Sequence, residues 1–132
     1  MSERINISSG APWEPIAGYS RAVRVGRFIE VAGTTAVDAQ GNFFAEGDAG
    51  LQTQYILKKI QFAIEQAGGK MSDVVRTRIF VTDREHMMEV AKVHGQFFGA
   101  HLRTTRPPQS MRMSTTMLTL TSISTLTFTL SI

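Results

Sequence analysis

Twenty consecutive residues without a charge, Met113 to Ile132, constrain this chain more than any other feature, and Ser and Thr fill eleven of those twenty positions. Leu118, Leu120, Leu126, Phe128, Leu130 and Ile132 sit on even positions, while Thr119, Thr121, Thr125, Thr127, Thr129 and Ser131 sit on odd ones. Apolar and polar residues alternating with a period of two, with β-branched residues on the polar side, are the pattern of a half-buried strand. Ile123 breaks the phase and marks a bulge or turn. A strand of this kind is stable only inside a sheet, so the rest of the chain has to supply one.

Two β-rich runs in GYSRAVRVGRFIEVAGTTAV, punctuated by Gly26, predict a hairpin. A three-residue loop, Gly26–Phe28, sets Val25 opposite Ile29 and Val23 opposite Val31, and pairs Arg24 with Glu30 on the other face. A two-residue loop would scatter charge over both faces, so the longer loop is expected. Gly41-Asn42 suits the turn that follows. Asp48–Gln66 reads as the clearest helix. Ile56, Ile60, Ala63 and Ala67 recur at helical spacing, Leu57 and Ile64 widen the stripe, Lys58 and Lys59 fall off it, and Gly68-Gly69 stops it. SDVVRTRIFVTD predicts a strand with Val75, Thr77, Ile79 and Val81 on one side. TDREHMMEVAKVHGQFF predicts a second helix capped by Thr82 or Asp83, with Glu85 completing a capping box and Met87, Val90, His94 and Phe97 buried. Pro107-Pro108 forces an extended loop before the tail.

The order β-β-α-β-α-β describes an α+β, two-layer domain, a mixed β-sheet with two helices packed on one face. The other face carries Val and Phe among Arg and Thr, and a second copy of the chain is the expected cover. A length of 132 residues fits one domain spanning 1–132, with 113–132 as its atypical uncharged strand. At 42% hydrophobic and 19% charged the chain is globular. A net charge of +3 without any Lys/Arg run longer than two is a poor match for nucleic-acid binding, which is not expected. The absence of cysteine rules out disulfides, thiolate catalysis and zinc–sulfur sites. No stretch of the sequence resembles a signal peptide or a membrane span, so the expected location is cytoplasmic.

Four segments, GYSRAVRVGRFIEVAGTTAVDAQG, QTQYILKKIQFAIEQAGG, DVVRTRIFVTD and RPPQSM, occur in an order and spacing that resemble the RidA/YjgF/endoribonuclease L-PSP family from about Ala11 to Met111. The resemblance implies a chorismate-mutase-like fold and a homotrimer with clefts between subunits. It also implies hydrolysis of reactive enamines and imines, such as 2-iminobutanoate and 2-iminopropanoate, to the keto acid and ammonia, with no metal or organic cofactor. Some members of the family act on RNA, and others bind small ligands without turnover.

A 2-imino acid carries a carboxylate, which a guanidinium grips through both oxygens. Its hydrolysis needs a held water and a group that moves protons. In deaminase-type relatives an Arg after a Pro-Ala pair binds the carboxylate and a Glu on the last strand orients the water. Here Gln109 follows Pro107-Pro108, and the tail around Ser124 and Thr125 has no carboxylate. Loss of the charge-assisted contact costs on the order of 1–3 kcal/mol of binding. Tyr19 matches the family's site tyrosine and is the expected catalytic residue; as an isolated residue it would read as an aromatic packed at a subunit edge. Ala32, Gly33 and Thr34 match the strand end that offers backbone groups to the pocket, and Gln109 falls in the pocket by position. Arg106, directly before Pro107, is the best substitute cation, ahead of Arg78, Arg103 and Arg112. The expected substrate-binding set is therefore Ala32, Gly33, Thr34, Arg106 and Gln109. His86, His94 and His101 have neither the spacing nor the carboxylate neighbours of a metal site, and none is expected. Two functions fit: an imine deaminase with weakened or lost activity, or a non-catalytic trimer that binds a small imino or keto acid in the same cleft.

Overall fold

The structure, a computed structural model, describes residues 3–100 and the strand residues 125–131. The elements in chain order are β1 (Arg4–Ile7), α1 (Trp13–Ala17), β2 (Ala22–Val25), β3 (Phe28–Thr34), α2 (Ala49–Gln66), β4 (Arg76–Phe80), α3 (Met87–Phe98) and β5 (Thr125–Ser131). Short 3₁₀ turns, Met71–Asp73 and Arg84–His86, lead into β4 and α3.

Thr125–Ser131 of the uncharged tail form a strand, and it lies inside the sheet. The strand order is β1-β2-β3-β5-β4, so β5 separates β3 from β4. All four pairings are antiparallel, which corrects the expectation of a mixed sheet. The reason is topological. β3 and β4 run in the same direction, as a crossover through α2 requires, but the tail occupies the gap between them. The register sets Leu126 opposite Ile79, Phe128 opposite Val31 and Thr77, and Leu130 opposite Ile29.

The hairpin forms with a different register from the one expected. Ala22 pairs with Val31, Arg24 with Ile29 and Val25 with Phe28, leaving a two-residue loop, Gly26-Arg27. Gly26 takes φ of +58°, which a side chain would resist. Arg24 therefore shares the helix-facing side with Ile29 and does not pair with Glu30. Its guanidinium is satisfied there: Nε donates to the Gly26 carbonyl at 2.9 Å and Nη1 to the Ala67 carbonyl at 2.7 Å. Ala67 caps the C-terminal end of α2, where the helix dipole favours a cation. Gly68 makes room for it, since a Cβ there would meet Arg24 Nη1 at 2.6 Å and φ is +82°.

α2 follows its sequence pattern closely. Asp48 accepts from the Leu51 amide at 2.8 Å as N-cap, the position where short polar side chains are favoured. Ile56, Leu57, Ile60 and Ile64 are completely buried, each stabilising the fold by about 1.5–3 kcal/mol. α3 packs beside α2 on the same face. Val90 and Phe98 are buried, with Met87, His94 and Phe97 half-buried, so Phe98 joins the expected stripe. Asp83 caps through the Glu85 amide at 2.9 Å, and a 3₁₀ turn intervenes before the helix. Among the described residues, no helix is long and apolar enough to cross a membrane.

Candidate functional site

β1 and α1 shape the ground on which Tyr19 stands. Glu14 on α1 is 5% exposed. Its carboxylate accepts from Ser8 Oγ at 2.5 Å, from the Ser9 amide at 2.9 Å, and from Ser9 Oγ. Burial pushes the carboxyl pKa up, but these hydrogen bonds and the nearby charge of Arg21 outweigh it and hold the group below its usual range. The Glu14 carbonyl accepts the Tyr19 amide at 3.1 Å, which fixes the start of the next segment.

From there the site is organised by a residue that the sequence does not single out. Arg21 is 6% exposed. Nη1 donates to the Gly33 carbonyl at 2.8 Å and to Thr34 Oγ1 at 2.9 Å; Nη2 donates to the Tyr19 phenol oxygen at 3.3 Å. The guanidinium carbon lies 5.4 Å from the centroid of the Tyr19 ring, a cation–π distance. The Arg21 carbonyl accepts the Ala32 amide at 2.9 Å, and the hydroxyl of the fully buried Thr34 donates to the Ala32 carbonyl at 2.9 Å. β3 is bulged here: its register to β5 shifts between Val31, opposite Phe128, and Thr34, opposite Leu126, which puts one extra residue on β3 in the stretch that holds Ala32 and Gly33.

The structure thus brings Tyr19, Ala32, Gly33 and Thr34 together, with Arg21 at their centre. Arg106 and Gln109 lie outside the described residues. The one local signal for Arg21 was its place two residues after Tyr19. Two of its three acceptors come from β3, twelve and thirteen residues away, which no local pattern reveals.

Arg21 Nε is buried and, among the described residues, has no hydrogen-bond partner. Such an unsatisfied donor costs about 1–3 kcal/mol. Lys59 lies nearby on α2. Its Nζ donates to the Val37 carbonyl at 2.7 Å and more weakly to Thr35 at 3.4 Å, and it stands 5.6 Å from the Tyr55 ring centroid. Burial and then the charge of Arg21 lower its pKa.

Beside this cluster, on the sheet face away from the helices, a groove of about 370 Å³ is lined by Tyr19, Ser20, Val23, Glu30 and Ala32, with Arg4 at its side. Val25 and Phe28 flank it on the same face and are 40% and 57% exposed. Thr77 Oγ1 and His94 Nε2 are 2.9 Å apart between the sheet and α3, so His94 is held by a structural partner. Among the described residues no group of three or more His, Asp and Glu gathers as metal ligands.

A two-layer α+β domain with a bulged third strand, a tyrosine at the mouth of the hairpin and a groove on the open sheet face defines a recognisable class. The model of the Endoribonuclease L-PSP family matches residues 9–120. A RutC family protein of Pyrococcus abyssi is 31% identical over 99 residues, covering 75% of this chain and 77% of that protein. The crystal structure of a YjgF/YER057c/UK114 family member from Mycobacterium tuberculosis matches with a TM-score of 0.73 at 32% identity, over 98% of this chain and 100% of that one. A Rid family protein of unknown function from Yersinia pestis shares the fold, with a TM-score of 0.74 at 18% identity over 98% and 100% of the two chains. The chain belongs to the endoribonuclease L-PSP, or RidA/YjgF, family.

Proposed function

We propose that this protein is a RidA-type deaminase of weakened activity, hydrolysing small 2-imino acids such as 2-iminopropanoate and 2-iminobutanoate to the keto acid and ammonia. The observation that carries the reading is the Tyr19 phenol, tethered by Arg21 at 3.3 Å beside a groove that also holds Glu30. The register sets Glu30 opposite Thr129 of the last strand. A carboxylate on β3 thus supports the water-holding role for which the last strand offers no group. In the reaction a water oxygen bonds to the imine carbon and one water proton passes to the nitrogen, giving the carbinolamine; its hydroxyl proton then passes to the nitrogen as the C=O bond forms and the C–N bond breaks, leaving the keto acid and ammonia. Tyr19 donates to the imine or carbinolamine, and Glu30 holds the water. The site works in a homotrimer: the exposed Val25 and Phe28 give the open sheet face an apolar surface for a second copy to cover. The expected setting is cytoplasmic.

The test is to generate 2-iminopropanoate in situ and follow its disappearance with and without protein. A protein-dependent rate supports the reading, and a gain from Gln109→Arg supports a missing clamp on the Pro-Pro loop. A rate equal to the spontaneous one at high protein concentration rejects turnover. The uncharged tail, with no carboxylate between Met113 and Ile132, favours the second reading in that event: a trimer that binds an imino or keto acid without hydrolysing it.

A further inference from the structure

An arginine offers five N–H donors. The fold uses three of those of Arg21: two from Nη1, to Gly33 and Thr34, and one from Nη2, to Tyr19. All three acceptors are neutral oxygens. Among the described residues the buried Nε has no partner, and no carboxylate forms an ion pair with the group. The donors left over are Nε–H and one N–H of Nη2. In a guanidinium these two can point the same way, as the side-on fork that takes both oxygens of a carboxylate. The Tyr19 contact, at 3.3 Å the longest of the three, is the one an incoming anion displaces most easily. Tyr19 and Ala32 line the groove and Arg21 does not; its buried guanidinium lies against the phenol ring, so a ligand in the groove reaches it only by displacing that ring. Arg4 and Glu30 at the groove wall offset each other in charge. Glu14 lies close enough for its carboxylate to feel the charge of Arg21, but its oxygens are taken by Ser8 and Ser9.

We propose that Arg21 is the carboxylate clamp of this chain, gripping a small 2-imino or 2-keto monocarboxylate side-on through Nε and Nη2 beside the Tyr19 ring. The uncharged Gln109 then needs no replacement cation on its own loop. The inference rests on the imino-acid reading for its ligand class, but keto-acid binding is measured without turnover, so the two can fail separately.

The experiment is calorimetric titration of the full-length protein with sodium 2-oxobutanoate, with 2-oxobutanamide as the uncharged probe. The clamp predicts that the amide binds at least thirtyfold more weakly, and that Arg21→Lys, which keeps the charge but loses the fork, weakens 2-oxobutanoate at least tenfold. Arg27→Gln, in the exposed hairpin turn, stays within twofold of the parent. Because Arg21 also ties Gly33 and Thr34, the unaltered protein supplies a second readout: the Arg21 Nε–H resonance in a ¹H–¹⁵N spectrum shifts on titration and saturates with the same Kd. Arg21→Lys binding like the parent, equal binding of acid and amide, an unmoved resonance or no binding at all overturns the clamp. Arg21-dependent binding without hydrolysis of 2-iminobutanoate keeps the clamp and rejects the deaminase reading.

Discussion

Arg21 and Thr34, thirteen residues apart, meet inside the protein: Nη1 donates to Oγ1 at 2.9 Å, and the same hydroxyl donates to the Ala32 carbonyl. Thr34→Val keeps the shape and removes both bonds. It leaves one more buried guanidinium donor short of an acceptor and is expected to cost about 1–3 kcal/mol in urea unfolding. Thr34→Ser, which keeps the hydroxyl, is expected to cost about 1 kcal/mol or less.

Arg24 joins the hairpin to the end of α2 through the Ala67 carbonyl at 2.7 Å. Arg24→Met retains much of the aliphatic stem but loses the C-terminal contact. The expected loss is about 1–2 kcal/mol by urea unfolding. Had Arg24 paired with Glu30 on the open face, the same change would cost well under 1 kcal/mol, as exposed ion pairs do.

His94 gives a pH signature. Burial lowers its pKa below the ordinary 6.5. The unfolded chain therefore takes up the proton first as pH falls. The contribution of His94 to stability is intact above pH 6.5 and declines as pH drops from there through the folded-state value. Urea midpoints at pH 7.5 and 5.5 are expected to differ less in His94→Gln than in the parent.

The open sheet face is expected to be an interface. Light scattering should return three times the 14.6 kDa protomer mass. Phe28→Asp, which places a charge beside Val25, should shift the protein towards the single protomer. A protomer mass for the parent would remove the intersubunit cleft from the account.

Much of the architecture was legible because it is periodic. The alternating tail announced β5, and the Ile56, Ile60, Ala63 and Ala67 stripe announced α2 with its Asp48 cap. What stayed hidden was set by distant partners. β1 is four residues long and is a strand because β2 lies beside it. The hairpin register was misjudged because opposite charges at Arg24 and Glu30 suggested a local pair, whereas Arg24 finds a carbonyl forty-three residues away. Arg21 looked like one more strand arginine for the same reason. Within the candidate site, Tyr19, Ala32, Gly33 and Thr34 came from resemblance, and only the fold reveals what links them.

The central claim is that the Tyr19 groove still acts on imino acids, and the rate of 2-iminopropanoate disappearance tests it most directly. The account predicts a protein-dependent rate in the parent that falls about tenfold or more in Tyr19→Phe and in Glu30→Gln, while both variants keep the parent's mass and urea midpoint to within about 1 kcal/mol. A parent rate no faster than the spontaneous reaction, or a rate that neither substitution changes, would contradict it.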